Sequence, residues 1–184
     1  MELFTSRTQM KSLRGIFLIF SLSLMSFMIK ASDSITVYVF LLESCQICQN
    51  QTAELNNIHQ KYTESGIKFI GIFPNNEFST QEGIDSFQTK YQLKFPLKFD
   101  PYQVIAMQYQ ATITPEVVVI RDADQKILYR GKIDNSYERV GIRRSVITEF
   151  YLKDALNQIL DNKEIIIPQT TAVGCFIMKK TSLK

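Results

Sequence analysis

The sequence predicts an α/β fold, a central mixed β-sheet flanked by helices, with an inserted helix and short strand between its two halves. Three observations point there. Runs of β-branched and aromatic residues over 35–42, 67–73, 116–121 and 126–133 read as strands. Between and after them lie polar stretches with apolar residues at three- and four-residue steps, the helical period. The order is β-α-β first and β-β-α last, which packs as layers on one sheet.

Each element has a local reason. Residues 35–42 are almost continuously apolar, as a strand buried on both faces should be. Ser44 offers an N-cap for the helix that follows to residue 65, with Leu55, Ile58 and Tyr62 on one face. Gly66 suits the position just past its end. Beyond the second strand, Pro74, Asn75 and Asn76 form a turn. A helix over 80–91, capped by Ser79 or Thr80, turns Ile84 and Phe87 inward. An extended piece at 95–99 and a short helix at 102–109 complete the insertion. Thr114-Pro115 then interrupts the chain ahead of the strand at 116–121. The Asp122-Ala123-Asp124 turn joins that strand to 126–133 as an antiparallel hairpin. A last helix over 145–160 is expected to bury Val146, Phe150, Leu156, Ile159 and Leu160.

Composition bounds the function. The 184 residues, 45% hydrophobic and 21% charged, can bury one real core and are not a disordered chain. Three cysteines are too few for a disulfide-dense scaffold, and one histidine excludes a multi-histidine metal centre. Arg7, Lys11, Arg14 and Lys30 against Glu2 place the whole net charge of +3 in residues 1–32, so residues 33–184 are neutral overall. That balance argues against nucleic acid as a partner.

Lys11 and Arg14 precede an uncharged apolar run over 15–29, followed by Ala31 and Ser32. At 1.5 Å per residue the run covers about 22 Å, short of the ~30 Å hydrocarbon core. Residues 1–32 therefore read as a signal peptide, or as an uncleaved N-terminal anchor that would tether the protein to a membrane. Residues 33–163 form the folded domain, residues 164–184 a C-terminal tail. The expected location is extracytoplasmic, periplasmic or secreted, where disulfides persist.

The chemistry concentrates at Cys45-Gln46-Ile47-Cys48, where the first strand hands over to the first helix. This spacing lets two sulfurs bond across one helical turn. The first cysteine lies where unpaired N–H groups and the helix dipole favour an anion, so its thiol should be acidified. Cys45 is the expected attacking thiol and Cys48 the resolving one in disulfide exchange, which calls for no cofactor and no metal. The partners would be disulfide-containing exported proteins and an unidentified electron donor. Other readings stand beside this one: a peroxide reductase, a Cu(I)-binding chaperone holding the metal between Cys45 and Cys48, or a purely structural disulfide. A c-type haem site is excluded, because Gln49 stands where it needs histidine. His59 reads as a helix-surface residue. Arg130, Arg143 and Arg144 read as substrate contacts or as a solvated face, the preferred reading. Cys175, in the tail, is a small side chain beneath a segment that docks on the sheet, the preferred reading, or a third redox thiol that resolves Cys45 or Cys48 or pairs with another chain.

Residues from about 35 to 161 resemble the thioredoxin-like superfamily, and more closely its redoxin (AhpC/TSA-like) branch. The resemblance is carried by Val37-Tyr38-Val39-Phe40 leading into Cys45-Gln46-Ile47-Cys48-Gln49-Asn50, by Phe69-Ile70-Gly71-Ile72-Phe73, by Thr114-Pro115-Glu116-Val117 and by Tyr129-Arg130-Gly131-Lys132-Ile133-Asp134. It implies a thioredoxin-like fold and a cis Thr114-Pro115 bond. That bond would bring the Thr114 backbone beside the cysteines, where it could bind an extended substrate through main-chain hydrogen bonds. The chain departs from the thioredoxin pattern in having Ser44 for Trp, Gln46-Ile47 for Gly-Pro, and Val39 for a buried acid whose part Glu43 or Glu116 could take. It departs from peroxiredoxins in having Leu42 where they carry threonine.

Overall fold

The structure, a computed structural model, describes residues 34–75 and 77–178. The expected leader over 1–32 lies outside the described residues, as do Asn76 and the last six residues of the tail. In chain order the elements are β1 (Ile35–Phe40), α1 (Gln46–Thr63), β2 (Lys68–Phe73), α2 (Gln81–Tyr91), β3 (Leu97–Phe99) and α3 (Val104–Gln108). There follow β4 (Ile113–Thr114), β5 (Glu116–Arg121), β6 (Lys126–Gly131), β7 (Tyr137–Arg139), β8 (Ile142–Arg143), α4 (Tyr151–Leu160) and β9 (Cys175–Phe176).

The main sheet runs β3-β2-β1-β5-β6. β1 pairs parallel with β2, and β2 with β3; β5 is antiparallel to both β1 and β6. This mixed sheet explains why β1 reads as one apolar run. Its side chains alternate between two cores, and all but the partly covered Tyr38 are buried. Val37 and Val39 join Val117 and Val119 beneath α1, α2 and α4. Phe40 joins Ile72, Val118 and Ile120 on the opposite face, against Ala106 of α3, Tyr109 and Ile177 of the tail. Each of the fully buried valine, isoleucine and phenylalanine side chains of these strands is worth about 1.5–3 kcal/mol over its exposed state. Together they fix the central strands, the first of which leads into the loop and helix that carry Cys45 and Cys48.

The helices follow the apolar periodicity, with corrections at their ends. Leu55, Ile58 and Tyr62 of α1 are buried, as are Ile84 and Phe87 of α2. Thr80 caps α2 by accepting from the Gly83 N–H. Cys45, not Ser44, occupies the N-cap of α1. The last helix is shorter than expected, Tyr151–Leu160. Asn135 captures the segment before it: its side chain bonds Thr148 twice, and its N–H donates to the Glu149 carbonyl. These bonds replace the first turns of the expected helix. Val146 is left 67% exposed, and Phe150 and Leu160 are only partly covered, whereas Leu152, Ala155 and Leu156 carry the packing.

Two further expectations are corrected. His59 is not a bare surface residue; its ring packs 5.5 Å from Phe69 and 5.6 Å from Phe95. Arg130 is not solvated; it lies mostly buried, with Nε 3.9 Å from the Glu116 carboxylate. Arg143 and Arg144 are exposed. Among the described residues no helix is long and apolar enough to cross a membrane.

Candidate active site

The end of β1 delivers the first cysteine into the protein. Leu41 and Leu42 stay buried past the strand, and the Cys45 N–H donates to the Leu42 carbonyl at 3.1 Å. The chain then turns into α1, and the Gln49 N–H closes the first helical turn on the Cys45 carbonyl at 3.0 Å. The loop ahead is tied by the Gln49 side chain donating to the Glu43 carbonyl at 2.7 Å and by Ser79 donating to the Glu43 carboxylate. Glu43 is thereby engaged away from the sulfurs.

Cys45, Cys48 and Cys175 are all free thiols. The Cys45 thiol is lowered to about 5. The first cause is the Cys48 thiol, which donates to it; against burial, the Cys175 thiol and the N–H groups of Cys48 and Ile47 act in the same direction. Cys45 makes no capping hydrogen bond of regular geometry, so these N–H groups act on the sulfur at longer range. Cys48 is fully buried, and desolvation, then the adjacent Cys45 sulfur, push its thiol well above the ordinary value. One thiolate beside one retained proton is what a nucleophile and resolver require.

Thr114-Pro115 is cis, and the Thr114 carbonyl lies 3.4 Å from Cys45 Sγ. The structure thus brings Cys45, Cys48, Thr114 and Pro115 together from a span of 69 residues. Glu116, next in the chain, is buried; desolvation raises its carboxyl, although it accepts the Thr112 N–H and faces Arg130.

The fifth residue singled out by sequence, Cys175, lies at the same place. Its Sγ is 3.0 Å from Cys45 Sγ. The tail does dock, and it docks here. β9 pairs antiparallel with β4, Thr114 opposite Cys175 and Ile113 opposite Phe176. Sequence reasoning found neither β4 nor β9, because two-residue strands carry no periodicity. The available signal was Gly174: a Cβ there would sit 1.9 Å from the Thr114 carbonyl oxygen, so only glycine permits the approach. Among the described residues no group of three or more His, Cys, Asp or Glu side chains is arranged to hold a metal ion.

Comparison with known proteins places this geometry in context. The model of the AhpC/TSA family matches residues 21–130. The thiol-disulfide oxidoreductase ResA of Bacillus thuringiensis is 26% identical over 96 residues, which are 52% of this chain and 53% of that protein. The chain thus spans about half the length of the curated relatives it matches. An uncharacterized conserved protein from Geobacillus kaustophilus superposes with a TM-score of 0.71 at 29% identity, over 83% of this chain and 80% of that one. A thioredoxin-like protein solved in its oxidized form superposes with a TM-score of 0.55 at 13% identity, over 72% and 82%. The fold is thioredoxin-like.

Proposed function

The chain belongs to the AhpC/TSA family, and from that membership we propose that it is a thiol–disulfide oxidoreductase using Cys45 as nucleophile and Cys48 as resolver. The observation that carries this reading is the placement of the pair, Cys45 at the N-cap of α1 and 3.4 Å from the carbonyl of the cis Thr114-Pro115 bond, with Cys48 buried one turn on; the lowered Cys45 and raised Cys48 thiols agree with it. The similarity to ResA supports it. The Cys45 thiolate attacks a substrate disulfide; a Cys45–substrate bond forms as the substrate's own S–S bond breaks, and the leaving thiolate takes a proton from solvent. The mixed disulfide removes the anion that helped to hold the Cys48 proton. Cys48 then loses that proton and attacks Cys45, releasing the second substrate thiol. The protein is oxidised by two electrons and the substrate reduced by two. Exported proteins outside the cytoplasm are the proposed substrates, on the strength of the leader-like residues 1–32, which could also serve as a tether.

Reduction of insulin by dithiothreitol tests this. The protein is expected to accelerate it, and Cys45→Ser to abolish the acceleration. Turnover of peroxide with no effect on insulin would overturn the reading in favour of a peroxide reductase.

A further inference from the structure

We propose that β9 occupies the seat of a substrate strand and that Cys175 is a second disulfide partner of Cys45, so that the chain carries its own first substrate. The inference rests on the oxidoreductase reading above. Its evidence is the position of the tail. An extended substrate at this site would add a strand along the backbone of Thr114 and put its cysteine over Cys45. That backbone already carries a strand, β9, with Cys175 directly opposite Thr114. The Cys45–Cys175 separation of 3.0 Å needs about 1 Å of further approach to reach a disulfide bond length.

The seat is built to hold this segment. Gly174 fits under the Thr114 carbonyl where any side chain would collide. The Thr114 hydroxyl donates to the Cys175 carbonyl at 3.3 Å, the Ile177 N–H to the Thr112 carbonyl at 2.9 Å, and the Met178 N–H to Asn75 Oδ1 at 2.8 Å. Upstream, the Arg130 N–H donates to the Pro168 carbonyl at 3.0 Å and the Lys132 N–H to Thr170 Oγ1 at 2.8 Å. The tail is therefore clamped on both sides of Cys175. With Cys175 against it, Cys45 is 1% exposed, too closed for a protein disulfide to reach. Attack on an external substrate requires β9 to leave its seat.

The exchange balances without an added oxidant. Starting from the Cys45–Cys48 disulfide left by substrate reduction, the Cys175 sulfur attacks Cys45. The Cys45–Cys175 bond forms, the Cys45–Cys48 bond breaks, and the proton lost by Cys175 is regained at Cys48; the protein stays oxidised by two electrons. In the dithiol state Cys175 is held idle, its thiol pushed up to about 12 by burial and then by its hydrogen bond to Cys45 and the Cys45 charge. The last two causes vanish once Cys45 is in a disulfide.

The test uses the full chain. In Cys48→Ser the remaining thiols are Cys45 and Cys175. Treated with oxidised glutathione, this variant is expected to lose two hydrogen masses and to yield a Cys45–Cys175 linked peptide, with no glutathione retained. A stable glutathione adduct on Cys45 with Cys175 free overturns the pairing. Gly174→Val, which cannot seat β9, is expected to react with Ellman's disulfide about tenfold faster or more at Cys45; an unchanged rate overturns the occupied seat. The two readings separate cleanly. Insulin reduction by the wild type together with a persistent glutathione adduct in Cys48→Ser sinks only this inference. No insulin reduction by the wild type or by Gly174→Val sinks the oxidoreductase reading.

Discussion

At Cys45 the position on the helix is only part of the explanation of its acidity. The N-terminus of α1 favours an anion through its unpaired N–H groups. In the structure the leading cause is the thiol of Cys48, three residues along a turn that starts at Cys45 itself, with the backbone of Cys48 and Ile47 behind it. The acidity is therefore a property of the pair. A thiolate absorbance titration at 240 nm should show one inflection near pH 5 in the reduced protein, none there in Cys45→Ser, and an upward shift in Cys48→Ala. An unshifted inflection in Cys48→Ala would assign the effect to the helix terminus alone.

Among the elements, α3 shows how a short helix is made to hold a position. It has five residues, too few to be stable by propensity, and its N-cap Gln103 sits at φ +58°. Asp100 compensates. Its carboxylate accepts the N–H groups of Val104, Ile105 and Ala106 at 2.9–3.0 Å. α3 leads into Thr112 and β4, the backbone on which the tail lies. Asp100→Ala should cost about 1–2 kcal/mol. Urea unfolding with an unchanged m-value would register that loss. The same variant should loosen β9 and speed the reaction of Cys45 with Ellman's disulfide, since α3 leads directly into Thr112, whose carbonyl holds the Ile177 N–H.

The whole molecule should be acid-sensitive in two overlapping windows. His59 is packed between Phe69 and Phe95, and burial lowers its pKa from 6.5. The unfolded chain thus binds a proton that the folded one refuses, and stability falls as pH drops below 6.5. The depressed Cys45 thiol contributes stability that is complete above its ordinary value of 9.0 and is lost as pH falls toward 5. Cys48 and Cys175, both raised, act in the opposite sense only above pH 9.0, where the unfolded thiols ionise. Urea midpoints of the reduced protein should therefore decline from pH 8 to pH 4. His59→Leu should flatten the part below 6.5, and Cys45→Ser the part between 8 and 5. A wild-type profile that is flat over this range would contradict both assignments.

The strands of the main sheet, the order of the layers, the Cys45-Gln46-Ile47-Cys48 pair at a strand–helix junction and the interrupting Thr114-Pro115 were determined by the sequence alone, whereas the short strands β4, β7, β8 and β9 were not. Each is encoded in neighbouring residues: in the alternation of apolar side chains, in the helical period, in the ring of a proline. The start of α4 was not, because Asn135, a residue outside the helix, outbids the helical hydrogen bonds of Thr148 and Glu149. The burial of Arg130 and the ring packing of His59 are not legible in the sequence for the same reason, since they depend on surfaces contributed by Glu116, Phe69 and Phe95. Above all, only the tertiary structure put Cys175 against Cys45. The two lie 130 residues apart, and closing so long a loop leaves no trace in local pattern. Their meeting is set by the fit of Gly174 under the Thr114 carbonyl and by the bonds that clamp the tail, all of them contacts between segments that the sequence holds far apart.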